Sequence, residues 1–230
     1  MLIEPLRACH LTLSEAPWPF ERERAIEIQA HWRAAVADKP AMWNGRVLLL
    51  IDWTLEDGVL AGRCADVAYS SYHAWKTWGF PDTSVVNCFG SAVIRSSDGA
   101  ILYGVMASST SNGGQIYPVA GMLDHSDVGE GGAIDVFASI GRELEEETGI
   151  PVSECRRGAR FAIRDGQLIS VAEILDFDAT AEDLARRVRA TIAADPDPEL
   201  QDLVIIRKPA DLNMDRSFGF AHRIAERILG

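Results

Sequence analysis

The sequence has no surplus of positive charge, no uncharged apolar run of membrane length, no paired cysteines and no repeats, and each absence removes a class of protein. Lysine and arginine number 22 against 34 aspartates and glutamates, a net charge of −12. Nucleic-acid backbones and anionic membranes reward clustered basic side chains, so neither is the expected partner. No run of about 18 uncharged apolar residues is present, so no membrane-spanning helix is expected. The opening Met1-Leu2-Ile3-Glu4-Pro5 lacks the basic-then-apolar layout of a secretion leader, which makes a cytoplasmic location the expectation. Cys9, Cys64, Cys88 and Cys155 are scattered without a CxxC pair and read as reduced, mostly buried side chains. What is there, 47% hydrophobic and 24% charged over 230 residues, is an ordinary globular composition able to bury a sizeable core. A chain this acidic can take an anionic phosphate-bearing substrate only where bound cations or a local basic cluster reverse its field.

Along the chain, a helix is expected near Glu21 to Val36, then a strand from Arg46 to Trp53 and a Gly58-containing turn before Leu60. This first part, residues 1–82, holds all six tryptophans. Trp18, Trp32, Trp43, Trp53, Trp75 and Trp78 read most simply as filler for a small core, the alternative being that one or two, with Tyr69 or Tyr72, wall off a pocket. Residues 83–230 alternate strand, hairpin and helix. Ser97-Asp98-Gly99 joins strands at Ser91 to Ile94 and Ile101 to Met106, and Asp165-Gly166 joins Arg160 to Arg164 with Leu168 to Leu175. Helices near Ala181 to Ala193 and Asp215 to Leu229 flank a strand at Leu203 to Ile206. The plan is α+β, a mixed sheet with helices on its faces, beside a small β-containing N-terminal subdomain.

The segment with the most chemistry is the helix Val136 to Thr148, with Asp135 as N-cap and Gly149 just past its end. At about 100° per residue, Val136, Ile140 and Leu144 form one apolar stripe. Glu143, Glu146 and Glu147 share an arc of about 100° at its edge, with Glu147 inside the stripe and Glu145 turned away. Three like charges so placed, at the negative end of the helix dipole and partly desolvated, need a compensating cation. A hard ion such as Mg²⁺ or Mn²⁺ answers that need with oxygen ligands. Arg142, one turn ahead of Glu146, can hold a carboxylate in place.

Arg142-Glu143-Leu144-Glu145-Glu146-Glu147-Thr148-Gly149-Ile150 resembles the second half of the Nudix box, R-E-U-x-E-E-x-G-U with U aliphatic, at every specified position. The first half, G-x5-E, is degenerate: Ile134 stands where the glutamate belongs and Val128 where the glycine belongs. Gly121 and Asp127 preserve the glycine-to-acid spacing about seven residues early, and Glu130 inside the insertion is another candidate for the acid. The resemblance implies a Nudix-type α/β/α sandwich. It makes Glu143, Glu146 and Glu147 metal ligands, with the Gly121 backbone carbonyl, and gives Arg142 the role of orienting the carboxylates. It also implies hydrolysis of a nucleoside diphosphate linked to another moiety, with Glu146 or Glu199 as general base and Glu173 ranked behind them.

The insertion and the run Pro40-Ala41-Met42-Trp43-Asn44-Gly45-Arg46 are similar to the branch of that family acting on UDP-glucose and UDP-galactose. ADP-ribose-type hydrolysis and a non-catalytic nucleotide-sensing module are the alternatives. A homodimer is a further implication of the resemblance. His125 reads as a surface residue, and His10, His31, His73 and His222 show no metal-ligand spacing. Arg156 and Arg157, and Arg186, Arg187 and Arg189, read as solvated rather than as part of the site.

Overall fold

The computed structural model describes residues 2–40 and 42–230; Met1, and Ala41 within the run Pro40 to Arg46, lie outside the described residues. In chain order come β1 (Leu2–Pro5), β2 (Ala8–Ser14), α1 (Pro19–Glu23), α2 (Ala25–Asp38), β3 (Arg46–Glu56), β4 (Val59–Ala68) and α3 (Tyr69–Thr77). Next are β5 (Asn87–Arg95), β6 (Ile101–Met106), β7 (Ile116–Tyr117), β8 (Ala133–Ile134) and α4 (Val136–Thr148). The chain closes through β9 (Cys155–Asp165), β10 (Leu168–Phe177), α5 (Ala181–Ala194), β11 (Leu200–Ile206) and α6 (Gly219–Leu229).

The larger sheet runs β1-β9-β10-β5-β6-β11, with β7 paired to β6, and is mixed because β10 and β5 are parallel while the other pairs are antiparallel. Neighbouring residues on a strand point to opposite faces. On β5, Phe89 meets Phe220 of α6 while Gly90 lies against Ile140 of α4, so α4 and α6 cover opposite faces of the sheet. With α5 packed on α4 and β11, the fold is a mixed α+β sandwich of helix, sheet and helix.

The smaller sheet, β3-β4-β2-β8, shares the main core through one face and holds a second core on the other. Leu48 and Leu50 of β3 join the large cluster, while the alternating Val47 and Leu49 pack with Trp18, Ile28 and Trp75 under α1 to α3. The change of composition near residue 82 is crossed by strand pairing in both directions. β1 binds β9, Leu2 opposite Arg164, and β8 binds β2, Leu11 opposite Ile134.

Some element boundaries differ from the sequence reading. The first helix is broken at Arg24 (φ −110°, ψ 19°) into α1 and α2. The last begins at Gly219 rather than Asp215, because Phe218 stays extended and stacks on Phe220 with Tyr117 beside it. Tryptophan as core filler holds for Trp18 and Trp75, but Trp43 is 80% exposed at the mouth of a cavity. Ile134 is buried in the main core as a strand residue, which is why no glutamate stands there.

Candidate active site

Helix α4 forms as its sequence dictates. The Asp135 carboxylate accepts from the backbone N–H groups of Phe137 and Ala138 at 3.0 Å each, and Gly149 takes the left-handed conformation (φ 68°) that ends the helix. Val136, Ile140 and Leu144 are buried, and the same stripe carries Glu147 into the protein. Neither carboxylate oxygen of Glu147 has a hydrogen-bond partner. The Ala120 N–H lies near enough to favour the anion slightly without meeting hydrogen-bond geometry. Burial, then the charges of Glu143 and Glu199, push the Glu147 carboxyl well above the usual range.

Glu143 lies directly over Gly121, whose missing side chain is the space the carboxylate fills; a Cβ there would overlap it. Burial pushes Glu143 up to about 7, against the opposing pull of Arg142. The Arg142 guanidinium stands between three acids. Its Nη1 is 2.9 Å from both Glu143 and Glu146, and its Nη2 donates to Asp127 at 3.2 Å. Asp127, whose side chain is only 2% exposed, also accepts from the Asp124 N–H. Glu130 is exposed and takes no part, so of the two acids left open by the sequence it is Asp127 that faces Arg142.

Glu199, on the loop before β11, joins this group: burial first, then Glu146 and Asp197, raise its pKa. Its surface is open to solvent, yet protein crowds it on the cavity side, where it lines the wall with Asp197 and Pro198. Glu145 points to the opposite side and accepts from the Val152 N–H. Glu173 is fully buried, and its two oxygens are taken by Arg157 (2.8 Å) and Arg160 (2.9 Å). That double pairing accounts for its inward direction and removes it as a candidate base. Arg187 and Arg189 pair with Glu154 and Asp202 at the surface, and His125 with Asp66, as solvated residues.

The carboxylates adjoin a cavity of about 700 Å³, meeting it at Gly121 and Glu199. Its walls include several aromatic side chains, Trp43, Tyr69, Phe89, Tyr117 and Phe218 among them. Sequence reasoning missed the wall supplied by Lys76 of α3 and Asn112, which are joined by a 2.8 Å hydrogen bond; Asn112 in turn donates to the Tyr117 hydroxyl at 3.1 Å.

The raised carboxyls have a measurable consequence. Glu143 and Glu147 hold protons in the folded chain that the unfolded chain releases above its ordinary value of 4.5, so the folded state binds more protons as pH rises past that value. Stability contributed by these groups is therefore present at low pH and lost as pH climbs through their folded values. Asp66 and Asp82, held below the usual range, titrate beneath that window; the raised Glu199 adds to the fall, and the lowered His73, a single group, opposes it. In metal-free buffer the thermal midpoint is expected to fall by roughly 5 °C or more between about pH 5 and about pH 8. A calorimetric midpoint that is flat or rising over that window would show that the cluster does not retain protons.

No family model matches the chain, and no curated protein matches it. Solved structures do. DR0079 from Deinococcus radiodurans is similar at 14% identity over 79% of this chain and 99% of its own, with a TM-score of 0.49. The MutT protein from Methanosarcina mazei Go1 is similar at 17% identity over 62% of this chain and 92% of its own, TM-score 0.41. A Nudix hydrolase from Nitrosomonas europaea shares 12% identity over 63% of this chain and 70% of its own, TM-score 0.39. None of the three overlaps reaches a TM-score of 0.5.

Proposed function

We propose that the chain is a Nudix-type, divalent-metal-dependent hydrolase of a nucleoside diphosphate linked to another moiety, with a nucleotide sugar such as UDP-glucose as the preferred substrate and ADP-ribose as the nearest alternative. The observation that carries this reading is Glu147, a carboxylate buried beside Glu143 and Glu199 with no hydrogen-bond donor at either oxygen. A buried carboxylate without donors is costly unless it is protonated or bound to a cation. The donor set is all oxygen, which suits Mg²⁺ or Mn²⁺. Glu143, Glu146 and Glu147 would hold the ion, with the Gly121 carbonyl. When bound, the ion neutralises the diphosphate and makes water more acidic.

The other steps belong to side chains. Glu199 accepts the proton of the attacking water at the cavity edge, with Glu146 the alternative base. Water adds to one phosphorus, the bond to the bridging oxygen breaks, and two phosphorylated products leave. Arg142 positions Glu143 and Glu146, while the aromatic walls give the ligand's flat groups stacking surfaces and exclude water.

One observation favours a second reading, a nucleotide-sensing module without turnover. Among the described residues no three acidic, histidine or cysteine side chains already surround a single ion position, and Arg142 occupies the space between Glu143 and Glu146. The two readings separate when the protein is incubated with UDP-glucose, ADP-ribose and nucleoside triphosphates, with and without Mg²⁺. The expected result is metal-dependent release of two phosphorylated products, lost in Glu146→Gln. No turnover of any compound would sink the enzyme reading, and activity surviving Glu146→Gln would remove that residue from the site.

Gly121→Ala offers a finer test, because the added methyl must displace the Glu143 carboxylate. A loss of roughly 10–100-fold in apparent metal affinity is expected, as for other changes that disturb how a ligand is held. Titrating turnover against Mg²⁺ measures it, and an unchanged titration would show that Glu143 does not ligate from this position.

A further inference from the structure

The cavity carries polar groups that the hydrolytic reading does not use. The chain has three lysines, Lys39, Lys76 and Lys208, and two of them converge here. Lys76 lines the cavity and donates to Asn112 Oδ1 at 2.8 Å, while Lys39 donates to the carbonyl of Thr110, another lining residue, at 2.7 Å. Both partners are uncharged. Every ion pair among the described residues is made by an arginine or by His125, none by a lysine. Lys76 is shifted downward by burial and then by Lys39, with no acidic group acting in the other direction. Behind it His73, bonded to His31 at 2.9 Å, is likewise lowered by burial and then by His31, Lys76 and Lys39. Asp38 is exposed and lines the small adjoining cavity with Lys39, and Asp197 and Glu199 line the main cavity, but none of them pairs with either lysine.

A half-enclosed ammonium with one neutral hydrogen bond has two N–H donors left and no counter-charge, an unusual arrangement in a chain of charge −12. An anion on the ligand would supply both the acceptors and the missing charge. We propose that Lys76, seconded by Lys39, forms an anion subsite in the aromatic cavity. It takes a phosphate or carboxylate carried on the part of the ligand that is not the reacting diphosphate. This rests on the reading of the carboxylate helix as the diphosphate site. The preferred ligands of the cavity are then diphosphate derivatives with an additional acidic group, and the subsite separates them from their neutral counterparts.

The test is equilibrium binding by calorimetry with Mg²⁺, in the Glu199→Gln background, which leaves the proposed metal ligands in place, on ligand pairs that differ by the acidic group alone. UDP-glucuronate against UDP-glucose tests a carboxylate, and NADPH against NADH tests a phosphate monoester; whichever pair shows the preference identifies the source of the anion. The acidic member is expected to bind about tenfold tighter, in line with one charge-assisted hydrogen bond. Lys76→Gln, which keeps a donor for Asn112, is expected to bring the ratio close to one by weakening the acidic member, and Lys76→Arg to preserve it. Lys39→Gln is expected to lower the ratio about threefold and carries the test should Lys76→Gln fail to fold. Equal affinities within both pairs, binding of no member, or an equal loss for both members in Lys76→Gln would overturn the proposal; the last would place Lys76 on the diphosphate. Failure of hydrolysis with these preferences intact would sink the enzyme reading alone.

Discussion

Glu147→Gln is expected to lower metal-dependent turnover by about a hundredfold or more while leaving the metal-free fold intact. The two halves of that result come from one piece of geometry. Both Glu147 oxygens lack hydrogen-bond donors, and burial raises the carboxyl well above its ordinary range, which favours the neutral acid when no metal is bound. Glutamine has the same shape and the same neutrality, and the substitution therefore breaks no existing contact. What it removes is the capacity to become an anion when a cation arrives. The thermal midpoint in chelator should stay within a few degrees of the parent, and the fall of stability with rising pH should become shallower because one proton-retaining group is gone. Turnover at parental levels would show that Glu147 is not a ligand. A metal-free protein that unfolds would show that the carboxyl holds the helix in place instead.

Arg142→Met is expected to have the largest effect on stability. The guanidinium is the counter-ion of Asp127, whose side chain is almost fully enclosed and whose other polar contact is the Asp124 N–H. Removing one partner of an enclosed pair leaves an uncompensated charge, which costs about 3–5 kcal/mol in full burial. Arg142 is itself 29% exposed, so water screens part of this, and a cost of roughly 2–4 kcal/mol is the expectation. For a chain of this length that is a drop of about 5–15 °C in the thermal midpoint. The bond to Glu146, which is 58% exposed, should contribute little to that loss. Arg142→Met with Asp127→Asn tests the assignment, because deleting both charges should recover at least half of the loss. Purely additive costs in the double variant would show that the pair is not the source of the stability.

How much of this was legible in the sequence depended on how local the information was. Helix α4 carried its own N-cap, apolar period and terminal glycine within fifteen residues, so its limits and the direction of each glutamate could be read directly. The hairpins at Ser97-Asp98-Gly99 and Asp165-Gly166 were legible for the same reason. Helix α3 was not. Its sequence Tyr-Ser-Ser-Tyr-His-Ala-Trp-Lys-Thr contains middling helix formers, and it is helical because Tyr72 and Trp75 are drawn into the second core. Lys76 therefore could not be placed near Asn112, which arrives from a loop 36 residues later. The displaced acid of the box posed a similar difficulty. Spacing offered both Asp127 and Glu130, and the choice was made by a short 3₁₀ turn that buries Asp127 under Arg142 while β8 diverts Ile134 into strand pairing.

The pairing of β1 with β9 bears on how the molecule assembles. Leu2 must wait for Arg164 to be made before the edge of the larger sheet can close. Contacts so distant in sequence carry a large loop-closure cost and slow the search for the native state. Until then Leu6, buried in the finished core, remains without its backbone partner Arg160. A strand edge beside Leu6 thus stays open in the nascent chain until β9 is made, the kind of surface through which partly folded chains associate.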